Sequence, residues 1–352
     1  MSTPPLPSKR MPYVRLGKSG LKVSRVILGC MSYGEGWADW LLGEEEAIKH
    51  IKYAYDAGIQ TFDTANVYSN GLSEIILGKA IKQLNLPREE LVIMTKFAGV
   101  VCDNPSEIVF DPPKVEREGP ARIVNQYGTS RKHIFAAVKA SLERLQLDYI
   151  DVLQCHRLAP GVPFEETMVA LHDLVKGGLV RYIGMSSCYA WEFHAMQNYA
   201  ITHNLTPFIS VQDHHSLMYR EEEREMFPTL KYFGVSSIPW SALGRGLLCR
   251  PFNARSSTKR GLNDWFLKAY GNNTALEEII NRVEEISKKR GVSMAQVTIA
   301  WELSKDVVAA PVIGTTSLEN LQDICEGVHL QLTEEEVKYL EEPYRPMNII
   351  GH

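Results

Sequence analysis

Four residues of different chemistry occupy positions where they could transfer a proton together: Asp63, Tyr68, Lys96 and His156. Each lies at or just past the end of a short apolar run of the kind that forms a β-strand. A tyrosine titrates at about 10 and is a weak acid at neutral pH, but a nearby ammonium stabilises its phenolate and lowers that pKa. Lys96 could act on Tyr68 in this way, with Asp63 holding the lysine charged, while His156 polarises a substrate carbonyl. The set predicts a proton-donor cluster for carbonyl reduction.

Each of these residues also has an ordinary structural interpretation. Asp63 and Lys96 could form a buried structural pair, Tyr68 could be a helix staple, and His156 could satisfy a backbone group. Lys96 could alternatively be the Schiff-base lysine of an aldolase. Four matching residues at three successive strand ends favour the catalytic interpretation, because proton transfer needs such groups in mutual reach.

Strand-like and helix-like segments alternate along the chain and must position this cluster. Eight such pairs, without a Gly-x-Gly-x-x-Gly opening, predict a (β/α)8 barrel of the α/β class rather than a doubly wound sheet. No linker divides the chain, so one domain spanning 1–352 is expected. The pairs are 23–28 with 44–55, 61–64 with 74–84, 91–97 with 131–145, 149–154 with 165–175, 180–186 with 190–200, 208–212 with 221–232, 235–240 with 276–289, and 308–313 with 317–326.

Four segments fall outside the repeating pattern. Residues 13–22 read as a hairpin that could close the lower end of the barrel, and 293–304 read as an extra helix. The proline-bearing stretch 98–128 follows Lys96 at the end of the predicted third strand. It predicts either a lid over the site or a flexible insertion. Residues 1–11 are polar and proline-rich, which predicts a flexible tail without a signal peptide.

Composition excludes several classes of function. The 352 residues are 45% hydrophobic and 23% charged, with a net charge of −4, which gives no electrostatic case for nucleic acid or an anionic membrane. The six cysteines are scattered, so a reducing compartment, the cytoplasm, is expected. His214 and His215 are adjacent and would point to opposite faces of a strand, which argues against a metal site. His214 shares a face with Gln212 and is predicted to line the site.

Three longer motifs accompany the cluster. They are Arg15-Leu16-Gly17-Lys18-Ser19-Gly20-Leu21-Lys22-Val23-Ser24, Leu147-Asp148-Tyr149-Ile150-Asp151 running on to His156, and Val180-Arg181-Tyr182-Ile183-Gly184-Met185-Ser186-Ser187. Together with the cluster they resemble the aldo-keto reductase superfamily, from about residue 15 to about residue 328. Ser186-Ser187 and the following Ala190-Trp191-Glu192-Phe193 look most like the aryl-alcohol dehydrogenase-like branch. The potassium-channel β subunit is a more distant relative.

The resemblance implies NADPH lying across the barrel mouth, because the cluster itself cannot supply a hydride. Ser186 and Gln212 would bind the carboxamide, and Trp240 would stack on the nicotinamide. Ser187 stands where many relatives carry asparagine. The stretch 241–247 could bring backbone N–H groups to the pyrophosphate; its implied contacts are Ser241, Leu243, Gly244 and Gly246.

The remaining implied contacts concern the adenosine end. Lys259 and Arg260 match the position that holds the 2′-phosphate; the alternative is a solvated basic patch with Arg255. Gly314 opens a helix start that favours an anion. Thr316 would then reach the phosphate, and Asn320 and Asp323 the adenine.

These observations predict an NADPH-dependent aldehyde or ketone reductase acting on an aromatic or apolar carbonyl compound. Tyr33, Trp37 and Trp40 could supply an aromatic wall or simply pack beneath the lid. The alternative is an NADPH-sensing regulatory or adaptor protein of the channel β-subunit type with slow turnover. The sequence predicts no oligomeric state.

Overall fold

The computed structural model describes residues 3–104, 106–107, 109, 123–271 and 273–352. Within these residues eight parallel strands form a barrel and two antiparallel strands form a hairpin, which confirms the predicted (β/α)8 barrel. The strands are β1 (Tyr13–Arg15), β2 (Lys22–Ser24), β3 (Ile27–Gly29), β4 (Thr61–Asp63), β5 (Val92–Phe97), β6 (Ile150–Cys155), β7 (Val180–Ser186), β8 (Phe208–Gln212), β9 (Ser236–Ser237) and β10 (Val312–Ile313).

The barrel strands follow one another in space as they do along the chain. Neighbouring strands from β3 to β9 pair in parallel, and β10 pairs with β3. β9 and β10 meet through single bridges, Ser237 with Val308 and Trp240 with Val312, and these close the barrel. Every residue of β4, β5 and β6 is buried, as expected for strands covered on both faces.

Helices cover the outside of the barrel. Ser130 caps one of them by accepting from the His133 N–H, and Thr333 and Glu336 form a capping box on another. The helices in the described residues are α1 (Glu44–Asp56), α2 (Leu72–Gln83), α3 (Arg131–Leu145), α4 (Phe164–Lys176), α5 (Ala190–Thr202), α6 (Met226–Phe233), α7 (Lys259–Asn263), α8 (Leu276–Arg290), α9 (Met294–Leu303), α10 (Leu318–Gly327) and α11 (Glu334–Glu341). None of them is both long and apolar enough to cross a bilayer.

The predicted hairpin closes the N-terminal end of the barrel. Leu16, in its turn, is fully buried against barrel-interior residues such as Met94 and Val152. Gly17 N donates to Ser236 Oγ at 2.9 Å, where β9 begins. Gly17 has a φ of 58°, and a Cβ there would lie 2.6 Å from a backbone oxygen, so only glycine fits this approach.

Prolines explain why two predicted strands are shorter than expected. The predicted strands 235–240 and 308–313 reduce to β9 and β10, because Pro239 and Pro311 have no N–H to donate to a neighbouring strand. The predicted strand 23–28 was also wrong in one respect, since it is divided between the hairpin strand β2 and the barrel strand β3. The chain turns between them, where Ser24 Oγ donates to Val26 O at 2.7 Å.

The predicted helix 221–232 is likewise split. A 3-10 turn at Glu221–Glu223 precedes α6, which begins only at Met226. Pro228 falls in the first turn of α6, where its missing N–H is harmless, whereas a continuous helix would have placed it in the interior. The helix α11 was not predicted.

The predicted lid at 98–128 lies partly outside the described residues, which omit 105, 108 and 110–122. Its described beginning is held by Asn70, whose Nδ2 donates to Asn104 O at 2.8 Å and to Glu107 O at 2.6 Å. The segment after Ser2 also makes contacts. Tyr53 Oη donates to Pro5 O at 2.7 Å, and Ser8 N donates to Glu326 Oε1 at 2.7 Å.

Candidate active site

The four predicted catalytic side chains converge at the C-terminal end of the barrel strands. Asp63 ends β4, Lys96 is the penultimate residue of β5, and His156 follows β6 directly. Lys96 Nζ lies 2.5 Å from Asp63 Oδ2 and 3.3 Å from Tyr68 Oη, and it donates to Thr64 O at 2.9 Å. A lysine ammonium has three N–H donors, so all of them are used. The rings of Tyr68 and His156 meet edge to face with centroids 5.9 Å apart.

The other carboxylate oxygen of Asp63 is held by two amides. Gln154 Nε2 donates to Asp63 Oδ1 at 2.8 Å and Gln212 Nε2 donates to the same oxygen at 2.9 Å. Gln212 also donates to Gln154 Oε1 at 3.2 Å. Sequence reasoning did not single out Gln154, although its place two residues before His156 on a buried strand shows that it faces the same side.

A strained turn presents Tyr68 to the cavity. Tyr68 begins the 3-10 turn Tyr68–Gly71, in which Ser69 and Asn70 have φ values of 47° and 50°. Left-handed conformations are uncommon for residues other than glycine and need support from their surroundings. That support comes from Trp37, whose Nε1 donates to Ser69 Oγ at 3.2 Å, and from the bonds of Asn70 to the loop after β5.

The electrostatics keep Lys96 and Tyr68 protonated and His156 uncharged at neutral pH. Burial disfavours the Lys96 ammonium, but Asp63 and Tyr68 outweigh that effect and raise the pKa of Lys96. Burial raises the pKa of Tyr68, and Lys96 offsets only part of the rise, so the expected net lowering is not found. Burial, Arg157 and Lys96 hold the pKa of His156 well below its usual value. His156 is therefore a neutral imidazole with one N–H donor.

The cluster opens into one large cavity of about 1700 Å³. Asp63, Tyr68 and His156 line it, whereas Lys96 is buried behind them. The predicted cofactor residues that also line it are Ser186, Ser187, Gln212, Trp240, Ser241, Leu243, Gly246, Lys259, Arg260, Gly314, Thr316, Asn320 and Asp323. Gly244, the remaining predicted cofactor residue, does not line the cavity. It is buried, and a Cβ there would lie 2.7 Å from Met218 Cε.

Basic side chains gather at the end of the cavity formed by the connection after β9. Arg245 Nε and Arg260 Nε donate to the same oxygen of Asp264, at 2.6 and 3.0 Å. Burial and the neighbouring Arg245 lower the pKa of Arg260 to about 10, which still leaves it charged. Two guanidinium groups thus share one carboxylate, with the exposed Lys259 lining the same cavity, and this donor set suits a phosphate dianion.

The aromatic residues after β3 occupy different places. Trp37 and Trp40 line the cavity and meet at 4.9 Å in a T-shaped pair, and the Arg260 guanidinium lies 4.5 Å from the Trp40 ring centre. Tyr33 is fully buried and its ring packs near His50, so the suggestion that it forms part of a substrate wall is wrong.

The prediction that His214 lines the site is also wrong. His214 lies behind Trp240, with its Nε2 2.7 Å from Tyr270 Oη. His215 is buried between Glu302 and Glu223, with ring nitrogen to oxygen distances of 2.5 and 2.9 Å. Within the described parts of the chain, no group of three or more histidine, cysteine or acidic residues is arranged to hold a metal ion.

The segment that ends at His352 borders the cavity, which sequence reasoning did not predict. Ile350 N donates to Tyr219 Oη at 3.1 Å, and a Cβ on Gly351 would lie 3.2 Å from Trp240 Cζ2. Gly351 and His352 both line the cavity. No strand-end position or motif marks these residues in the sequence, so no pattern could have found them.

A closed parallel barrel with Asp63, Tyr68, Lys96 and His156 gathered at its C-terminal face has the architecture of an α/β-barrel enzyme. Residues 25–345 match the Aldo/keto reductase family, and the chain belongs to that family, which uses nicotinamide cofactors.

Curated relatives cover nearly the whole chain. It is 48% identical over 344 residues to a provisionally named aryl-alcohol dehydrogenase of Schizosaccharomyces pombe, covering 96% of this chain and 97% of that protein. It is 48% identical over 353 residues to the aldo-keto reductase AFTS1 of Alternaria alternata, covering 98% and 95%. It is 48% identical over 345 residues to versiconal hemiacetal acetate reductase of Aspergillus parasiticus, covering 96% and 98%. The predicted family and branch are confirmed.

Proposed function

We propose that this protein reduces an aldehyde or ketone to the alcohol with NADPH, with Tyr68 as the proton donor. The observation that carries the proposal is the 3.3 Å contact between Lys96 Nζ and Tyr68 Oη at the wall of the large cavity. When bound, the nicotinamide supplies the hydride that the carbonyl carbon receives.

Residues of the chain itself supply and direct the proton that the carbonyl oxygen receives. Tyr68 donates its proton to the carbonyl oxygen as negative charge develops there, and the neutral His156 donates a hydrogen bond to the same oxygen. Lys96 stabilises the phenolate that remains, while Asp63 holds the lysine in place. Lys96 is charged and makes three hydrogen bonds, which disfavours a Schiff-base role, since that chemistry needs a neutral amine.

Three features support NADPH as the cofactor. The flat face of Trp240 lines the cavity and fits a nicotinamide ring. Gly246 has a φ of 95° and lines the cavity with its backbone, as a pyrophosphate would require. The excess positive charge of Arg245, Lys259 and Arg260 fits the 2′-phosphate that distinguishes NADPH from NADH.

The substrate end of the cavity supports an aromatic or apolar substrate. Phe164 and Trp191 line its mouth with ring centres 6.0 Å apart, and Trp191 is 64% exposed. Trp37, in the connection after β3, lines the same cavity. We further propose that residues 1–352 act as one domain, since the family match spans most of them.

The test is to mix the purified protein with NADPH and a panel of aromatic and aliphatic aldehydes, following the near-ultraviolet absorbance of the cofactor. Brisk oxidation of NADPH establishes the reductase and ranks its substrates. Absence of turnover together with a tight, fluorescence-detected NADPH complex would favour a regulatory sensor instead. Repeating the assay with NADH, for the wild type and Arg260→Leu, tests the cofactor: the preference for NADPH should fall in the variant.

A further inference from the structure

Arg157 follows His156 and lines the same cavity, but the proposed proton transfer does not use it. One of its nitrogens, Nη1, donates to His156 O and to Ser186 Oγ, the latter at 3.2 Å. These two bonds fix the plane of the guanidinium. Among the described residues, Nε and Nη2 of Arg157 have no hydrogen-bond partner, so most of its five N–H donors remain available.

The charge of Arg157 is also uncompensated. No carboxylate in the described parts of the chain forms an ion pair with it, whereas the neighbouring Lys96 is paired with Asp63. His156 is neutral, and the other polar groups that act on Arg157 are the Tyr68 hydroxyl and the Cys188 thiol. A deeply placed cation without an anion is unfavourable, so an anionic oxygen entering the cavity would be stabilised there.

A glycine lies beside the second guanidinium nitrogen, Nη2, of Arg157. A Cβ on Gly351 would lie 3.5 Å from Arg157 Nη2 and 3.2 Å from Trp240 Cζ2. A side chain at this position would therefore extend into the space between the arginine and the indole. Because Gly351 has no side chain, its backbone lies beside Arg157 Nη2 and Trp240 without adding atoms to the cavity that they line.

We propose that Arg157 binds a carboxylate on the substrate, so that the enzyme prefers carbonyl compounds carrying an acid group near the reacting carbonyl. The planar fork of an arginine matches the two oxygens of a carboxylate. This inference rests on the proposed reductase function and narrows its substrate class. Arg157 acts here in binding and specificity, while Tyr68 remains the proton donor.

A binding experiment tests Arg157 without turnover. Benzoate is titrated by calorimetry into the protein alone and into the protein with NADP+, for the wild type, Arg157→Met and Arg157→Lys. A hydrogen-bonded charge pair predicts that benzoate binds Arg157→Met on the order of 10- to 100-fold more weakly. Arg157→Lys keeps the charge but loses the fork and should fall between the two. Arg181→Met, at the opposite end of the barrel, removes an exposed arginine and should match the wild type.

A kinetic comparison follows with benzaldehyde and its 2-, 3- and 4-carboxy derivatives. In the wild type, kcat/KM for the best carboxylated isomer should exceed that for benzaldehyde, and Arg157→Met should abolish this preference. Equal benzoate affinity in the wild type and Arg157→Met would overturn the proposal. Loss of NADPH affinity in Arg157→Met, with benzoate affinity unchanged, would also overturn it and assign Arg157 to the cofactor. If the wild type reduces none of the aldehydes, the reductase function fails, while the benzoate titration still decides the role of Arg157.

Discussion

The imidazole of His214 and the indole of Trp240 are stacked face to face, with ring centroids 4.2 Å apart and planes inclined by 14°. Tyr219 stacks on the other face of His214, also at 4.2 Å. Trp240 Nε1 donates to Ser187 Oγ at 3.1 Å, which fixes the edge of the indole. The flat surface that Trp240 offers to a ligand is therefore set by residues behind and beside it.

His214→Leu should weaken NADPH binding although His214 lies outside the cavity. The variant removes the stacking of His214 on Trp240, an aromatic contact worth about 0.5–1.5 kcal/mol, so the indole is held less firmly. The Kd for NADPH should therefore be about 2- to 12-fold higher. Fluorescence titration with NADPH measures the change. His50→Leu replaces another buried histidine, which does not line the cavity, and should leave the Kd unchanged. An unchanged Kd in His214→Leu would show that Ser187 alone positions the indole.

Tyr68→Phe should reduce turnover by about 10²- to 10⁴-fold, the usual contribution of a general acid. The affinity for NADPH should change little, because the ring remains and only the hydroxyl is removed. Steady-state kinetics and NADPH titration measure the two effects separately. Tyr33→Phe is the matched control, since Tyr33 Oη is buried without a partner in the described residues. Retained turnover in Tyr68→Phe would falsify the assignment of Tyr68.

The rate of carbonyl reduction should be flat between about pH 6 and pH 9. Burial raises the pKa of Tyr68, so the proton donor stays protonated throughout this range. The pKa of His156 is depressed well below its usual value, so this imidazole stays neutral and adds no titration. A pH profile of kcat with a saturating aldehyde tests both statements. A decline centred near neutral pH would show that the bound cofactor lowers the pKa of Tyr68 more than burial raises it.

Gln154→Leu should lower kcat while leaving NADPH affinity nearly unchanged. The variant removes one of the two amide donors to Asp63 Oδ1, so the carboxylate and the lysine that it holds are less well oriented. A decrease of about 10- to 100-fold corresponds to the roughly 1.5–3 kcal/mol expected for one hydrogen bond to a charged group. An unchanged kcat with a lower melting temperature would make Gln154 a purely structural residue.

Stability should fall as the solution becomes alkaline. Burial disfavours the charged form of His215, but Glu302 and Glu223 outweigh it and raise the pKa of His215 from 6.5 to about 9. The folded state therefore binds this proton more tightly. The resulting stabilisation, about 3 kcal/mol, is complete below pH 6.5 and is lost as the pH rises through about 9.

Urea midpoints at pH 6 and pH 9 measure this loss. Burial also raises the pKa of Glu222 to about 9, and its effect has the same sign, so Glu222→Gln separates the two groups. The part due to His215 should persist in Glu222→Gln and disappear in His215→Gln. A midpoint that does not change between pH 6 and pH 9 in the wild type would show that neither His215 nor Glu222 has a raised pKa in the folded state.

The barrel and the convergence of the four predicted catalytic side chains could be predicted because local patterns encode them. Apolar runs alternate with amphipathic helices, and Asp63, Lys96 and His156 stand at the ends of such runs. Where a backbone donor is missing, at Pro239 and Pro311, the pattern overestimated the strands. The pattern of apolar residues depends on side chains alone, so it does not reveal that a proline lacks the backbone N–H needed to pair with a neighbouring strand.

Contacts between distant segments could not be predicted in the same way. Tyr33 follows β3 much as Trp37 does, yet only the packing of α1 against it shows that it is buried. Gly351 meets Trp240 across more than a hundred residues of chain, with no motif to link them. The sign of the Tyr68 pKa shift also depended on depth of burial, which composition does not reveal.

The junction between β9 and β10 where the barrel closes, called the seam here, has a consequence for local opening of the sheet. Central neighbours such as β5 and β6 share a continuous ladder, whereas this seam depends on single bridges around Ser237 and Trp240. Amide hydrogens there should exchange with solvent sooner than those of the central strands. Trp240 and Gly314 flank the seam on its two sides, so a dinucleotide held by both would clamp it shut. Slower exchange of these amide hydrogens in the presence of the cofactor than in its absence would then indicate cofactor binding, even when no substrate is present.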